Sequence, residues 1–203
     1  MRELSKEEIE KIRKDPRGVE WIYISIYRIL SEGFIREFSN KVNWLNISYA
    51  QKLSEEFIRE FSDRVDWTYI SGRQNLSEGL IREFSDKVYW SYISGRQNLS
   101  EGFIREFSDK VDWYYISIYQ KLSEGFIRKF SDKINWDYIF YNQNLSEEFM
   151  LDFYDKFNWD MLDTNKKIYK EVFKKTFEKM NREQKLYMIM NYREVWNKHA
   201  GIK

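Results

Sequence analysis

"SDKVDWYYISIYQKLSEGFIRKFSD", residues 108–132, opens on Ser-Asp-Lys and closes on Ser-Asp, with Lys133 completing the same triplet 23 residues later. The tryptophan inside it belongs to a series. Trp21, Trp44, Trp67, Trp90, Trp113, Trp136 and Trp159 stand 23 residues apart. Leu30, Leu53, Leu76, Leu99, Leu122 and Leu145 keep that interval, as do Phe38, Phe61, Phe84, Phe107, Phe130 and Phe153. So do Ile24, Ile47, Ile70, Ile93, Ile116 and Ile139, with Leu162 closing the column. Several independent columns sharing one period are the signature of a stacked array of small units.

One unit reads as two short helices. In "LSEGFIREFSDKV", residues 99–111, Ser100 is a good N-cap and Glu101 follows in the first turn, where it complements the helix dipole. Phe103, Ile104, Phe107 and Val111 then fall on one apolar stripe. Asp112 is a second N-cap, after which Trp113, Ile116 and Gln120 share a face. The links "QKLS" and "QNLS" lead to the next serine cap. Helices this short are marginal alone in water, so each unit must bury its Trp, Leu, Ile and Phe columns against its neighbours. Tyr, Ile, Val and Trp are also strand formers, but "GFIREF" and "WYYISIY" do not alternate, and a cap precedes each. The expected fold is all-α: an α-solenoid of two-helix repeats with a C-terminal helical cap.

Both ends depart from the pattern. Leu4 and Ser5 arrive three residues early, and Pro16 and Gly18 announce a longer loop before Trp21, so residues 1–20 read as an atypical capping half-repeat. The array proper spans 21–162. Residues 163–203 form a basic cap with eleven Lys or Arg against five Asp or Glu, read as two longer helices over about 163–180 and 182–198. Ile168, Val172 and Phe173 mark an apolar stripe in the first, and Leu186, Ile189 and Tyr192 in the second.

Composition narrows the function classes. The formal net charge is +1, which gives no global pull toward nucleic acid or anionic membrane. No cysteine is present, and the single histidine, His199, cannot build a zinc site by itself, so no metal or cofactor is expected. No apolar run reaches the roughly 20 residues of a membrane span. The charged N-terminus lacks a signal-peptide core, so a soluble, cytoplasmic setting is expected.

The candidate binding surface is the third position of each second helix. Tyr23, Tyr69, Tyr92, Tyr115 and Tyr138 occupy it, with Asn46 as the exception. Four residues on stand Arg73 and Arg96, or Tyr27 and Tyr119. A ladder of Tyr69, Arg73, Tyr92, Arg96, Tyr115, Tyr119 and Tyr138 suits a protein partner, or else nucleic acid or a nucleotide stacked on the rings. The competing reading has the tyrosines completing inter-repeat packing and the arginines stacking on them. A second ladder, Arg36, Arg59, Arg82, Arg105 and Arg128, could meet phosphates, but Glu37, Glu60, Glu83 and Glu106 beside it favour ion pairs between units. The carboxylate pairs Asp63/Asp66 and Asp109/Asp112 recur unit by unit, which suits capping rather than catalysis, since a catalytic pair is needed once. Variation between near-identical units falls on the second helix, at Thr68, Ser91 and Tyr114 and at Gly72, Gly95 and Ile118.

The wording "LSEEFIREFSDRVDW" followed by "YIS" resembles tandem helical repeats in uncharacterised proteins of giant DNA viruses, bacteriophages and some bacteria. The resemblance covers about residues 21–159. It implies a viral or mobile-element origin, no catalytic residue to carry over, and a non-enzymatic protein-interaction module that inhibits a host defence protein. Exposed array ends add a possible head-to-tail self-association.

Overall fold

A computed structural model describes residues 1–158, 174, 175 and 177–192. Trp159, Leu162, Ile168, Val172, Phe173, His199 and most of the first C-terminal helix expected from the sequence lie outside the described residues. The chain forms two compact units that divide between Val111 and Asp112.

Each unit is a run of two-helix repeats, which establishes the all-α solenoid class read from the period. In the first unit the short first helices are α3 (Glu32–Glu37), α5 (Glu55–Glu60), α7 (Glu78–Glu83) and α9 (Glu101–Glu106). The second helices are α2 (Trp21–Tyr27), α4 (Trp44–Ala50), α6 (Trp67–Arg73) and α8 (Trp90–Arg96), packed in that order. The second unit continues with α10 (Trp113–Tyr119), α11 (Glu124–Lys129), α12 (Trp136–Asn142) and α13 (Glu147–Asp152). Ser31, Ser54, Ser77, Ser100, Ser123 and Ser146 cap the first helices, each side chain accepting from the N–H three residues on. Asn43, Asp66, Asp112 and Asn135 cap the second helices in the same way. Asp66 and Asp112 are thus committed to capping, while Asp63 sits in the preceding turn and pairs with Lys87 at 2.8 Å.

The first helices end sooner than their apolar stripe suggests. Helix α9 stops at Glu106, and the Phe107 carbonyl then accepts from both Lys110 and Val111. That turn places Val111 in the core. Trp90 lies against Phe103 and Phe107 with ring centroids 6.2 and 5.0 Å away, and the same arrangement recurs at Trp44, Trp113 and Trp136. Each described indole from Trp21 to Trp90, and Trp136, donates to the carbonyl five residues back, so its polar edge is satisfied.

Two buried polar columns join the repeats. Gln51 sits just past α4, where its amide oxygen accepts from Leu30 N–H at 3.0 Å and its amide nitrogen donates to the Ser25 and Arg28 carbonyls. Gln97 repeats this in full, while Gln74 and Gln143 accept from the Leu53 and Leu122 N–H and donate to one carbonyl each, of Gln51 and Gln120. Ser25 and Ser48 donate to the carbonyl four residues back and accept from Asn43 and Asp66 N–H in the next repeat. A loop that would otherwise bury unpaired backbone is thereby satisfied by its successor.

The N-terminal residues substitute their own device. Arg28 stands where later repeats have glutamine, and it donates to the Glu3 carbonyl and to Glu8 at 2.7 Å. Arg2–Glu3 (β1) pairs in parallel with Arg28–Ile29 (β2), a two-residue ladder that the helical period did not announce. Helix α1 (Lys6–Lys14) follows a capping box of Ser5 and Glu8, and Pro16–Gly18 form a 3-10 turn. In the second unit, the helix Arg182–Asn191 starts from a capping box of Asn181 and Gln184. Tyr192 Oη donates to the Phe157 carbonyl, and Lys175 and Lys179 pair with Glu147.

Candidate interaction surface

Most charged side chains of the first helices are engaged inside the array. Arg13, Arg36, Arg59 and Arg82 reach Glu37, Glu60, Glu83 and Glu106 at 2.6–2.8 Å, each pair one repeat apart. Arg128 meets Asp152 in the second unit. Glu32, Glu55 and Glu78 accept from the N–H of Ser54, Ser77 and Ser100 at 2.6 Å. A phosphate chain approaching this arginine column would meet the carboxylates already holding it.

The second helices present a different surface. Tyr69 and Arg73 on α6 and Tyr92 and Arg96 on α8 come together, with Thr68 and Gly72, around an open depression of about 450 Å³. Helix α6 is fixed by the Asp66 cap, whose carboxylate accepts from Thr68 and Tyr69 N–H. Its buried face is Ile70 and Ser71, which turns Tyr69 and Arg73 outward. Tyr92, 39% exposed, lies flat against Gly72: a Cβ there would stand 3.4 Å from its Cγ. The Arg73 guanidinium sits 3.8 Å from the Tyr49 ring centroid, and Tyr49 meets Tyr69 edge-on at 5.1 Å. Arg96 lies 6.0 Å from the Tyr92 centroid. Among the described residues, neither Arg73 nor Arg96 has a carboxylate partner, unlike the arginines of the first helices.

In the second unit, Tyr115 stacks with Tyr119 at 6.2 Å and meets Tyr114 edge-on at 5.4 Å. Tyr114 and Tyr138 bring their hydroxyls to 2.9 Å. That hydrogen bond, with the repulsion between two phenolates, raises the Tyr114 pKa above its ordinary 10.0. Tyr119 is 60% exposed, while Tyr115 and Tyr138 are half-buried. Each ladder residue therefore has at least one exposed or half-exposed aromatic or cationic group, and the arginine stacking foreseen as a packing role occurs on Tyr49.

Two members were missed in the sequence. Tyr49 falls in the column of Ile26, Gly72, Gly95, Ile118 and Tyr141, not in the tyrosine column. Tyr89 takes the N-cap place held by Asn43, Asp66, Asp112 and Asn135; like Glu20 before α2 it makes no side-chain cap bond, and its ring lies 6.4 Å from Tyr92. Tyr89 was signalled by its departure from a column of acids and amides, whereas the Tyr49 column, two each of Ile, Tyr and Gly, has no consensus to depart from.

Among the described residues no cluster of three His, Asp or Glu side chains could hold a metal ion, and no helix is long and apolar enough to cross a membrane. Comparison with protein-family models, curated proteins and solved structures finds no match to this chain.

Proposed function

We propose that the chain is a non-catalytic protein-interaction module that grips its partner through the Tyr/Arg face of the second helices, centred on Tyr69, Arg73, Tyr92 and Arg96. One observation carries this reading: two arginines with no carboxylate partner among the described residues stand here beside exposed tyrosine rings, whereas the arginines of the first helices are paired within the array. Gly72, like Gly95 one repeat on, leaves open a helix position filled by Ile26, Tyr49 or Ile118 elsewhere, although glycine in a helix costs about 1 kcal/mol relative to alanine. Tyr89, like Glu20, makes no cap bond at a position where Asn43, Asp66, Asp112 and Asn135 do, a cap contributing about 1 kcal/mol. Gly72 lines the depression and the Tyr89 ring lies 6.4 Å from Tyr92 on its wall, so both positions adjoin these arginines. Tyr and Arg are also the side chains that dominate protein–protein hot spots.

The resemblance to repeat proteins of large DNA viruses and phages makes a host protein the expected partner and inhibition the expected consequence. The test is affinity capture of the tagged chain from host lysate, with and without nuclease, beside a Tyr92→Ala variant. A stoichiometric protein that survives nuclease and is lost with Tyr92→Ala supports the reading. Recovery of nucleic acid, or protein capture indifferent to Tyr92, contradicts it.

A further inference from the structure

We infer that the depression between α6 and α8 receives an acidic, extended segment of the partner, whose carboxylates meet Arg73 and Arg96; this rests on the interaction-module reading above. The guanidiniums are the argument. In the first helices, Arg36, Arg59 and Arg82 each carry a glutamate one repeat away, whereas the lining of this depression is Thr68, Tyr69, Gly72, Arg73, Tyr92 and Arg96, with no acid among them. The Arg73 guanidinium carbon already sits over the Tyr49 ring, 3.8 Å from its centroid. Stacking occupies the face of a guanidinium and leaves its edge of N–H donors open for bidentate contact with a carboxylate. The tyrosine walls supply aromatic area at low entropic cost.

Geometry narrows the segment. Arg73 and Arg96 hold equivalent positions on consecutive second helices, and packed helices lie about 8–10 Å apart. A polyproline-type strand rises about 3.1 Å per residue with three residues per turn, so side chains three apart share a face about 9 Å apart. Acids at every third residue of such a strand match the arginine spacing. Aromatic-lined grooves are also the usual hosts of this conformation.

The probe is a fluorescein-labelled (Glu-Pro-Pro)4 peptide titrated into the full chain by anisotropy, beside (Gln-Pro-Pro)4 and oligo-dT. We expect (Glu-Pro-Pro)4 to bind at least tenfold tighter than the glutamine peptide. Arg73→Gln with Arg96→Gln should remove that advantage, while Arg36→Gln with Arg59→Gln should leave it intact. Equal binding of the two peptides, no binding of either, an unaffected double variant, or oligo-dT as the tightest ligand each overturns the inference. Circular dichroism of the variants verifies that they remain folded. Failure here is separable from failure of the interaction module. A captured partner lost with Tyr92→Ala but retained by the Arg73/Arg96 double variant sinks the acidic segment alone, and a partner indifferent to Tyr92 sinks both.

Discussion

Gln97 shows how one side chain holds two repeats together. Its amide accepts from Leu76 N–H at 3.0 Å and donates to the Ser71 and Gln74 carbonyls at 3.1 and 2.8 Å, all in a buried setting. Removing it strands backbone groups that water cannot reach, each costing about 1–3 kcal/mol. Gln97→Ala should therefore destabilise by about 2–4 kcal/mol in urea unfolding, with faster amide exchange at Leu76 as the local readout. Arg82→Ala, which breaks half-exposed pairs with Glu106 and Glu78 and a contact over the Phe103 ring, should cost only about 1 kcal/mol. This interior column was poorly legible in the sequence. Glutamine is usually exposed, and only the turn after each second helix brings it under the preceding loop. The serine caps were legible because they combine a residue type with a position, and Ser100 behaves as read. Glu8 offers a pH test at the same scale. The hydrogen bond from Arg28, then the Ser5 N–H, hold its pKa down at about 2 against an ordinary 4.5. A depressed carboxyl contributes stability that is present above the ordinary value and lost as pH falls toward the lowered one. The β1–β2 contact should therefore loosen between about pH 4.5 and 2, seen as a chemical-shift change at the Glu8 carboxyl, and Arg28→Gln should move that transition up toward the ordinary value.

Helices of six or seven residues have little stability of their own, so caps and single propensities weigh heavily in them. Tyr89→Asp would copy the Asp66 and Asp112 caps and should stabilise α8 by about 1 kcal/mol, visible as a raised Tm. Gly72→Ala should also stabilise, by up to about 1 kcal/mol, because the new Cβ meets Tyr92 at ordinary contact distance. Gly72→Ile, the residue found at Ile118, should instead fill the depression and abolish partner capture without unfolding the chain. Stabilised variants that bind less well would match the trade expected when a surface is kept for function. The tyrosine column was legible from its period. Tyr49 was not, because it belongs to another column and reaches Tyr69 only once α4 packs on α6. The helix lengths also outran the pattern: an apolar stripe through Val111 cannot distinguish a continuing helix from the turn that closes on the Phe107 carbonyl.

Across the molecule, the bonds that join repeats span 18 to 26 residues, from the serine column to the glutamine column. Stability in such an array is close to a sum over units and their neighbouring interfaces. A fragment ending at Val111 should accordingly keep its helical circular dichroism and unfold at a lower temperature than the full chain, whereas a globally cooperative fold would lose both. The period announced this organisation, but it could not say which polar groups the array would use internally. The glutamates beside the Arg36 column announced its pairing with the next repeat, as with Glu60, whereas nothing beside Arg73 announced the Tyr49 ring that holds it. The division between interior cement and outward-facing surface is the central claim, and one paired measurement tests it. Tm and partner affinity would be read together for Gln51→Ala and for Tyr92→Ala with Arg96→Gln. The account predicts that Gln51→Ala lowers Tm and still binds, while the second variant keeps its Tm and loses at least tenfold in affinity, more than 1.4 kcal/mol. If the face variant unfolds as readily as the interior one, or binds as well as the parent chain, the Tyr/Arg face is packing and the account is wrong.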